Sequence, residues 1–299
     1  MPDFPSSLDR NKRYLIVNAD DYGYFSCVTE GILDGAREGV ITASGIMANS
    51  PALDKHLGFF AEIDTLDAGV HLNLSHGEPL TDRMRQLLSQ WSGRFPTKFQ
   101  MARAILLRKV ALSVVEEEWR AQITRCVVGG IRPVFLNSHE HLHMLPGLFD
   151  VTKKLAKEFG IQHIRHSSAE WDANRDISVW MRNLILGGTS IMAPHRFRRD
   201  GTVHFIGASA SGRLSMEYFR RKLPRLKPGN VYELMCHPGH FDTDEIQTPS
   251  LLAYHAWEQE LSVLLSDEFR ALCESCGIDL IGFRNLPPPS NIRPCPAPL

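Results

Sequence analysis

Long apolar runs are missing from this 299-residue chain. No segment approaches the ~20 residues that span a bilayer. The best candidate, Ala104–Val115, is interrupted by Arg108 and Lys109. Met1–Arg13 is polar and has no apolar h-region of a secretory signal, so the expected compartment is the cytoplasm. Excess charge is missing too: 33 Lys+Arg stand against 34 Asp+Glu, a net charge of −1. Such a balance gives no field to draw in nucleic acid, and no nucleic-acid partner is expected. Cysteine is sparse, six residues scattered along a chain large enough to build its own core without disulfides. Cys273-Glu-Ser-Cys276 lacks a second pair, which argues against a zinc ribbon and leaves two reduced thiols near a helix end. No internal repeat is visible.

What the chain does have is short apolar runs alternating with helical patterns, the signature of βα units around a parallel sheet. Tyr14–Asn18 reads as a buried first strand. Ser26 is placed to cap a helix to about Glu38, ended by Gly39. Ile41–Met47, Ala68–Leu74, Pro133–Asn137, Ile161–Arg165, Val203–Ile206, Val231–Cys236 and Ile278–Phe283 read as further strands. Leu107, Val110, Ala111 and Val114 share an i, i+3, i+4, i+7 face, predicting a long helix over about Met101–Val127. Leu148, Val151, Leu155 and Phe159 mark a helix stopped by Gly160. Ser250–Cys276 reads as a polar helix. The expected organisation is one catalytic (β/α) barrel domain over residues 1–285, with Leu286–Leu299 as a Pro-rich tail and Trp171–Arg199 as an insertion near the substrate.

The reactive side chains gather at one topological place. Asp20 and Asp21 follow the first strand, His71 sits near the end of the third, and His139, His141 and His143 follow Pro133–Asn137. Arg165 ends another strand, and His237 follows Val231–Cys236. In a parallel barrel the C-terminal strand ends converge on the face that carries the active site. Adjacent buried carboxylates repel, and a cation relieves that cost. An Asp-Asp pair can also simply cap a helix or make an Asx turn. His71 and Asn73 alternate with apolar neighbours and so share one strand face. Neutral imidazoles are common ligands for divalent metals. His139-Glu140-His141-Leu142-His143 also satisfies the helical H-E-x-x-H motif of zinc metallopeptidases. The strand-like stretch before it and Pro146-Gly147 after it do not favour that helix.

Taken together, Asn18-Ala-Asp-Asp-Tyr-Gly23, Ile41-Thr-Ala-Ser-Gly-Ile-Met-Ala-Asn49, Gly69-Val-His-Leu-Asn-Leu74, His139-Glu-His-Leu-His143 and Cys236-His-Pro-Gly239 resemble the YdjC-like (ChbG-like) carbohydrate deacetylases, in family order over roughly Tyr14 to Phe283. The resemblance implies an α/β fold, an irregular TIM-like (β/α) barrel of the polysaccharide-deacetylase kind. It implies Asp20 as catalytic base, Asp21, His71 and His139 as metal ligands, His237 as general acid, and Arg165 orienting Asp20. Asn73, His141 and His143 are expected to meet substrate. The family usually has an Asp shortly before the first histidine of this run, where this chain has Asn137 and Ser138.

The expected activity is removal of an N-acetyl group from an N-acetylated sugar, with one divalent ion, Zn²⁺ or Mg²⁺, as cofactor. The substrate is an N-acetylglucosamine-containing oligosaccharide or, in a subgroup associated with hopanoid biosynthesis, an N-acetylglucosaminyl glycolipid. The rival functions are a zinc metallopeptidase and a non-catalytic carbohydrate-binding barrel. The apolar-basic stretch Ala102–Val115 and the segment Asn183–Pro194 suit peripheral membrane contact, though core helix and homodimer contact is the preferred assignment.

Overall fold

The computed structural model describes residues 8–170 and 203–286. Its centre is a parallel sheet of eight strands. These are β1 (Arg13–Tyr22), β2 (Ala43–Ile46), β3 (Asp67–Leu72), β4 (Phe135–Ser138), β5 (His163–Ile164), β6 (Val203–Ile206), β7 (Asn230–Cys236) and β8 (Ile278–Leu280). They run in the order β5-β4-β3-β2-β1-β7-β6, with β8 joined to the first residues of β1. Among the described residues β5 and β6 do not pair, so the architecture is a parallel half-barrel and the closed ring expected from sequence is not seen. The proposed insertion Trp171–Arg199, the Asn183–Pro194 segment and residues 287–299 lie outside the described residues. Leu286, the first residue of the expected tail, is buried.

Alternation along the strands sorts the interior into layers. Tyr14 and Ile16 of β1 meet Ala43, Phe135, Val231, Phe283 and Leu286 in a small apolar cluster. Two residues further along the same faces stand Asn18, Asn137 and Glu233, all buried and polar. The other faces, with Leu15, Val17 and Ala19, join the main core beneath the helices. The inner face is narrow. A Cβ on Gly69 would lie 2.3 Å from the Phe135 ring, and one on Gly45 would lie 3.1 Å from Asn137 Oδ1 and 3.2 Å from His71 Nδ1. Gly69 thus leaves room for the Phe135 ring of the apolar layer, and Gly45 for Asn137 and His71 of the polar one.

The helices are α1 (Ser26–Arg37), α2 (Leu53–Ala61), α3 (Asp82–Leu87), α4 (Lys98–Leu106), α5 (Leu112–Val128), α6 (Leu148–Phe159), α7 (Met216–Lys222), α8 (Pro249–Tyr254), α9 (Trp257–Leu265) and α10 (Asp267–Ser275). Ser26 does not cap α1; its backbone N–H and that of Cys27 donate to Glu245 Oε2 at 2.7 and 3.2 Å, so a distant carboxylate does that work. The long helix predicted over Met101–Val127 is two helices, because Arg108 takes the left-handed conformation (φ 57°) and turns the chain. The polar helix predicted over Ser250–Cys276 is likewise three. No described helix is long and apolar enough to cross a membrane.

Candidate metal and catalytic site

β1 does not stop before the aspartates; it carries them. Between Ala19 and Tyr22 its register against β2 shifts, and Asp21 sits at φ 71°. A non-glycine residue there costs of order 1–3 kcal/mol and persists only where its surroundings enforce it. The bulge sends the neighbouring carboxylates to different partners. Asp21 Oδ1 lies 3.2 Å from His71 Nε2 and 2.9 Å from His139 Nδ1. One carboxylate oxygen and one nitrogen of each imidazole therefore lie within 4.8 Å of one another. Burial would raise the Asp21 pKa, but His139 and His71 outweigh it and hold the group well below the usual carboxylate range.

Asp20 points the other way, to Arg165. Arg165 Nη1 donates to Oδ2 at 2.5 Å and Nη2 to Oδ1 at 2.9 Å, a bidentate pair in which both side chains are buried. Arg165 Nε donates to Glu233 Oε1 at 2.7 Å, and Asn18 Nδ2 donates to the same oxygen at 2.9 Å. Burial pushes the Asp20 pKa up, yet Arg165 and then His71 overcome it and bring it down to about 2.

Asn137 ties the two halves together. Its Nδ2 donates to Asp20 Oδ1 at 2.8 Å, and its Oδ1 faces His71 Nδ1 at 2.7 Å. A carboxylate cannot donate, so the amide must place its NH₂ toward Asp20 and its oxygen toward His71. That puts an N–H on His71 Nδ1 and turns Nε2 toward Asp21. Outer partners of this kind set ligand tautomer and basicity in metal sites. Asn137 thus holds both the Asp20 carboxylate and the His71 ring in place.

His237, just after β7, is buried, and its Nδ1 has no hydrogen-bond partner among the described residues. Its backbone N–H donates to Glu260 Oε2 at 2.6 Å. Burial lowers the His237 pKa while Asp21 and Asp20 act against that. Beside it runs an aromatic wall: His255 lies 5.0 Å from the His237 ring and stacks on Trp257 at 4.7 Å, and Phe241 stacks on Trp257 at 6.2 Å.

The sequence model of the YdjC-like protein family matches residues 14–275. The chain belongs to that family. A carbohydrate deacetylase from Brevibacillus brevis is 30% identical over 272 residues, 91% of this chain and 99% of that protein. Another from Geobacillus stearothermophilus is 29% identical, again over 91% of this chain and 97% of its own. A crystal structure of an Enterococcus faecalis V583 protein, provisionally assigned to cellobiose-phosphate cleavage, superposes with a TM-score of 0.66 at 27% identity, covering 92% of this chain and 98% of that one.

Three expected residues of this YdjC-like chain fall differently from the rest. Asn73 spends its whole capacity on the loop after β3: Nδ2 donates to Asn49 Oδ1 and His76 O, and Oδ1 accepts from Ser75 N and His76 N. It has nothing left for a ligand. His143 is fully buried, with Nδ1 at 2.6 Å from Ser138 Oγ and Nε2 at 2.9 Å from Arg165 O, so it braces the loop and does not face substrate. His141 stays at the site's edge, half-buried, with Nδ1 2.9 Å from Ser167 Oγ. Glu140 and His141 are both left-handed (φ 55° and 58°), which rules out the α-helix that a metallopeptidase H-E-x-x-H needs. Glu140 instead pairs with Lys98 at 2.9 Å.

His143 offers a test. Changing it to Ala should leave metal binding intact and cost roughly 2–4 kcal/mol at neutral pH, through the cavity and the partners left unpaired. Burial holds its pKa down to about 3. An unfolded histidine takes a proton near ~6.5, so the wild type alone loses stability as pH falls below that, by about 1.4 kcal/mol per unit for this group. The gap between wild type and His143→Ala should therefore narrow from pH 7 to pH 5 in denaturant titrations. A constant gap would mean that the ring is not held neutral.

Glu233, Asn18, Glu260 and His255 were not singled out in the sequence. For Asn18 and Glu233 a signal existed: each is a polar residue two positions along from apolar inward-facing neighbours in a strand. Glu260 and His255 carry no such mark: Glu260 stands in a helix beside another acidic residue, Glu258, and His255 in the turn just before that helix.

Proposed function

We propose that this protein is a metal-dependent carbohydrate N-deacetylase. The observation that carries it is the meeting of Asp21, His71 and His139 beside the Asp20–Arg165 pair and His237 at the C-terminal ends of β1, β3, β4 and β7. The relatives named as carbohydrate deacetylases, matched over 91% of the chain, supply the substrate class. The first and last described strands, β1 and β8, pair in one sheet, which supports reading residues 1–285 as one catalytic unit.

Asp21 Oδ1, His71 Nε2 and a His139 nitrogen are the donors for one divalent ion. Two imidazoles and a carboxylate with positions left open suit Zn²⁺ by ligand type, and Mg²⁺ is the alternative. When bound, such an ion polarises the acetamide carbonyl and acidifies water. Asp20 accepts the water proton through Oδ2, which carries one hydrogen bond while Oδ1 carries two. Arg165 and Asn137 fix its orientation, and its low pKa means the proton is held only briefly. His237, at the end of the neighbouring strand, returns a proton to the departing amine. Exposed Tyr254 and Phe241, next to His255 and Trp257, offer apolar faces for sugar rings.

An acetate-release screen over N-acetylglucosamine oligomers and N-acetylated glycolipids, with and without chelator, tests the proposal. Release that chelator abolishes is expected. No release from any N-acetylated sugar by metal-loaded protein would sink it and favour a binding barrel. The role of His237 has its own test. His237→Ala should impair amide cleavage badly while sparing an activated ester, whose leaving group needs little protonation. Equal loss on both substrates would reassign His237 to support of the site.

A further inference from the structure

We propose that the outer face of α4 and the turn after it dock this protein peripherally on an anionic lipid bilayer. α4 buries Met101, Ala104 and Ile105. Its opposite face carries Phe99, Arg103 and Leu106 at i, i+4, i+7 spacing. Phe99 is 64% and Leu106 62% exposed, and Leu107 (56%) and Leu112 (41%) extend the patch through the turn. A helix packed on a core normally turns polar residues to solvent, and clustered exposed apolar side chains mark an interaction surface. The core-helix assignment of this stretch therefore fails for its leucines.

Charge identifies the occupant. Residues 98–112 contain Lys98, Arg103, Arg108 and Lys109 and no acidic residue, in a chain whose net charge is −1. Lys98 is taken by Glu140, while Arg103, Arg108 and Lys109 are exposed and make no ion pair among the described residues. Apolar side chains flanked by free cations fit the boundary between acyl chains and anionic headgroups. A second copy of this chain fits less well, because a two-fold contact through this face sets cation against cation. The patch also lies on the rim of the site. α4 packs against the His139–Met144 turn, and Leu112 lies against Gly147, where an added Cβ would come within 2.8 Å of its Cδ1. Docking would hold the mouth of the site to the membrane.

Co-sedimentation of the full chain with phosphatidylcholine vesicles, with and without phosphatidylglycerol, tests this without any assay of deacetylation, so its outcome is separate from that of the proposed function. Binding to the anionic vesicles alone, weakened by salt, is expected. Leu106→Ser/Leu107→Ser and Arg108→Glu/Lys109→Glu should each lower it by roughly 30-fold or more, two cations alone being worth about five-fold apiece. Circular dichroism and Tm should not change, since all four side chains are exposed. Absence of wild-type binding, or equal binding by the variants, would overturn the proposal. So would a dimer that the same substitutions dissociate without any vesicle binding, which would make the face an interface between copies.

Discussion

His71→Ala and His139→Ala should each purify as folded proteins that hold little metal and have lost activity by at least about three orders of magnitude. Either change removes one of the three donors proposed for the ion, and a site reduced to a carboxylate and one imidazole holds a divalent ion weakly. The fold should survive because neither ring is part of the main apolar core. His71 is the more demanding case: its loss also leaves Asn137 Oδ1 buried without its partner, at a cost of about 1–3 kcal/mol. Metal analysis of the purified variants, beside circular dichroism, checks this directly. Full occupancy in both variants would remove the ligand assignment and the mechanism built on it. Asn137→Asp is informative alongside. A carboxylate there would face Asp20 Oδ1 at hydrogen-bond distance, so one of the two must take a proton or move.

The parallel sheet was legible in the sequence because its strands are short, apolar and separated by helical patterns; all eight were located, seven with both ends within three residues of those observed and β1 with its end four residues short. β5 is cut to His163–Ile164, and the helix ends were less readable. Nothing in the composition of Leu107–Lys109 announces that Arg108 turns left-handed, and the apolar periodicity continued straight through that turn. The cap of α1 was missed for a different reason: it comes from Glu245, more than two hundred residues away, and no local pattern reports a contact of that range.

At the site, the residues that end strands were legible and their division of labour was not. The sequence placed Asp20 and Asp21 after the first strand; they lie within it, and a bulge there parts them while β1 runs on to Tyr22. Histidine spacing alone gave His139, His141 and His143 equal standing. The fold separates them: His139 meets Asp21, His141 stays at the rim, and His143 is locked between Ser138 and a backbone carbonyl. A ligand and a brace are chemically the same residue, and only three-dimensional partners tell them apart.

The buried charges also decide which variant of the Asp20–Arg165 pair is worth making. Asp20, Glu233 and Arg165 form a buried group with one more negative charge than positive. Arg165→Met would leave two buried carboxylates facing each other without a cation, a change expected to cost 3–5 kcal/mol or more and to confuse folding with catalysis. Asp20→Asn removes the excess charge, keeps the shape, and leaves Arg165 paired with Glu233. It should fold and, since Asp20 is not among the metal donors, keep its ion. Turnover should nevertheless fall by roughly 10²–10⁴-fold, because an amide oxygen cannot take the proton of the attacking water. The measurement is acetate release per bound metal, with metal content determined on the same preparation. Near-normal turnover would pass the role to another carboxylate. Asp21 is committed to both imidazoles and Glu140 is held by Lys98, so each of those replacements would require the site to rearrange.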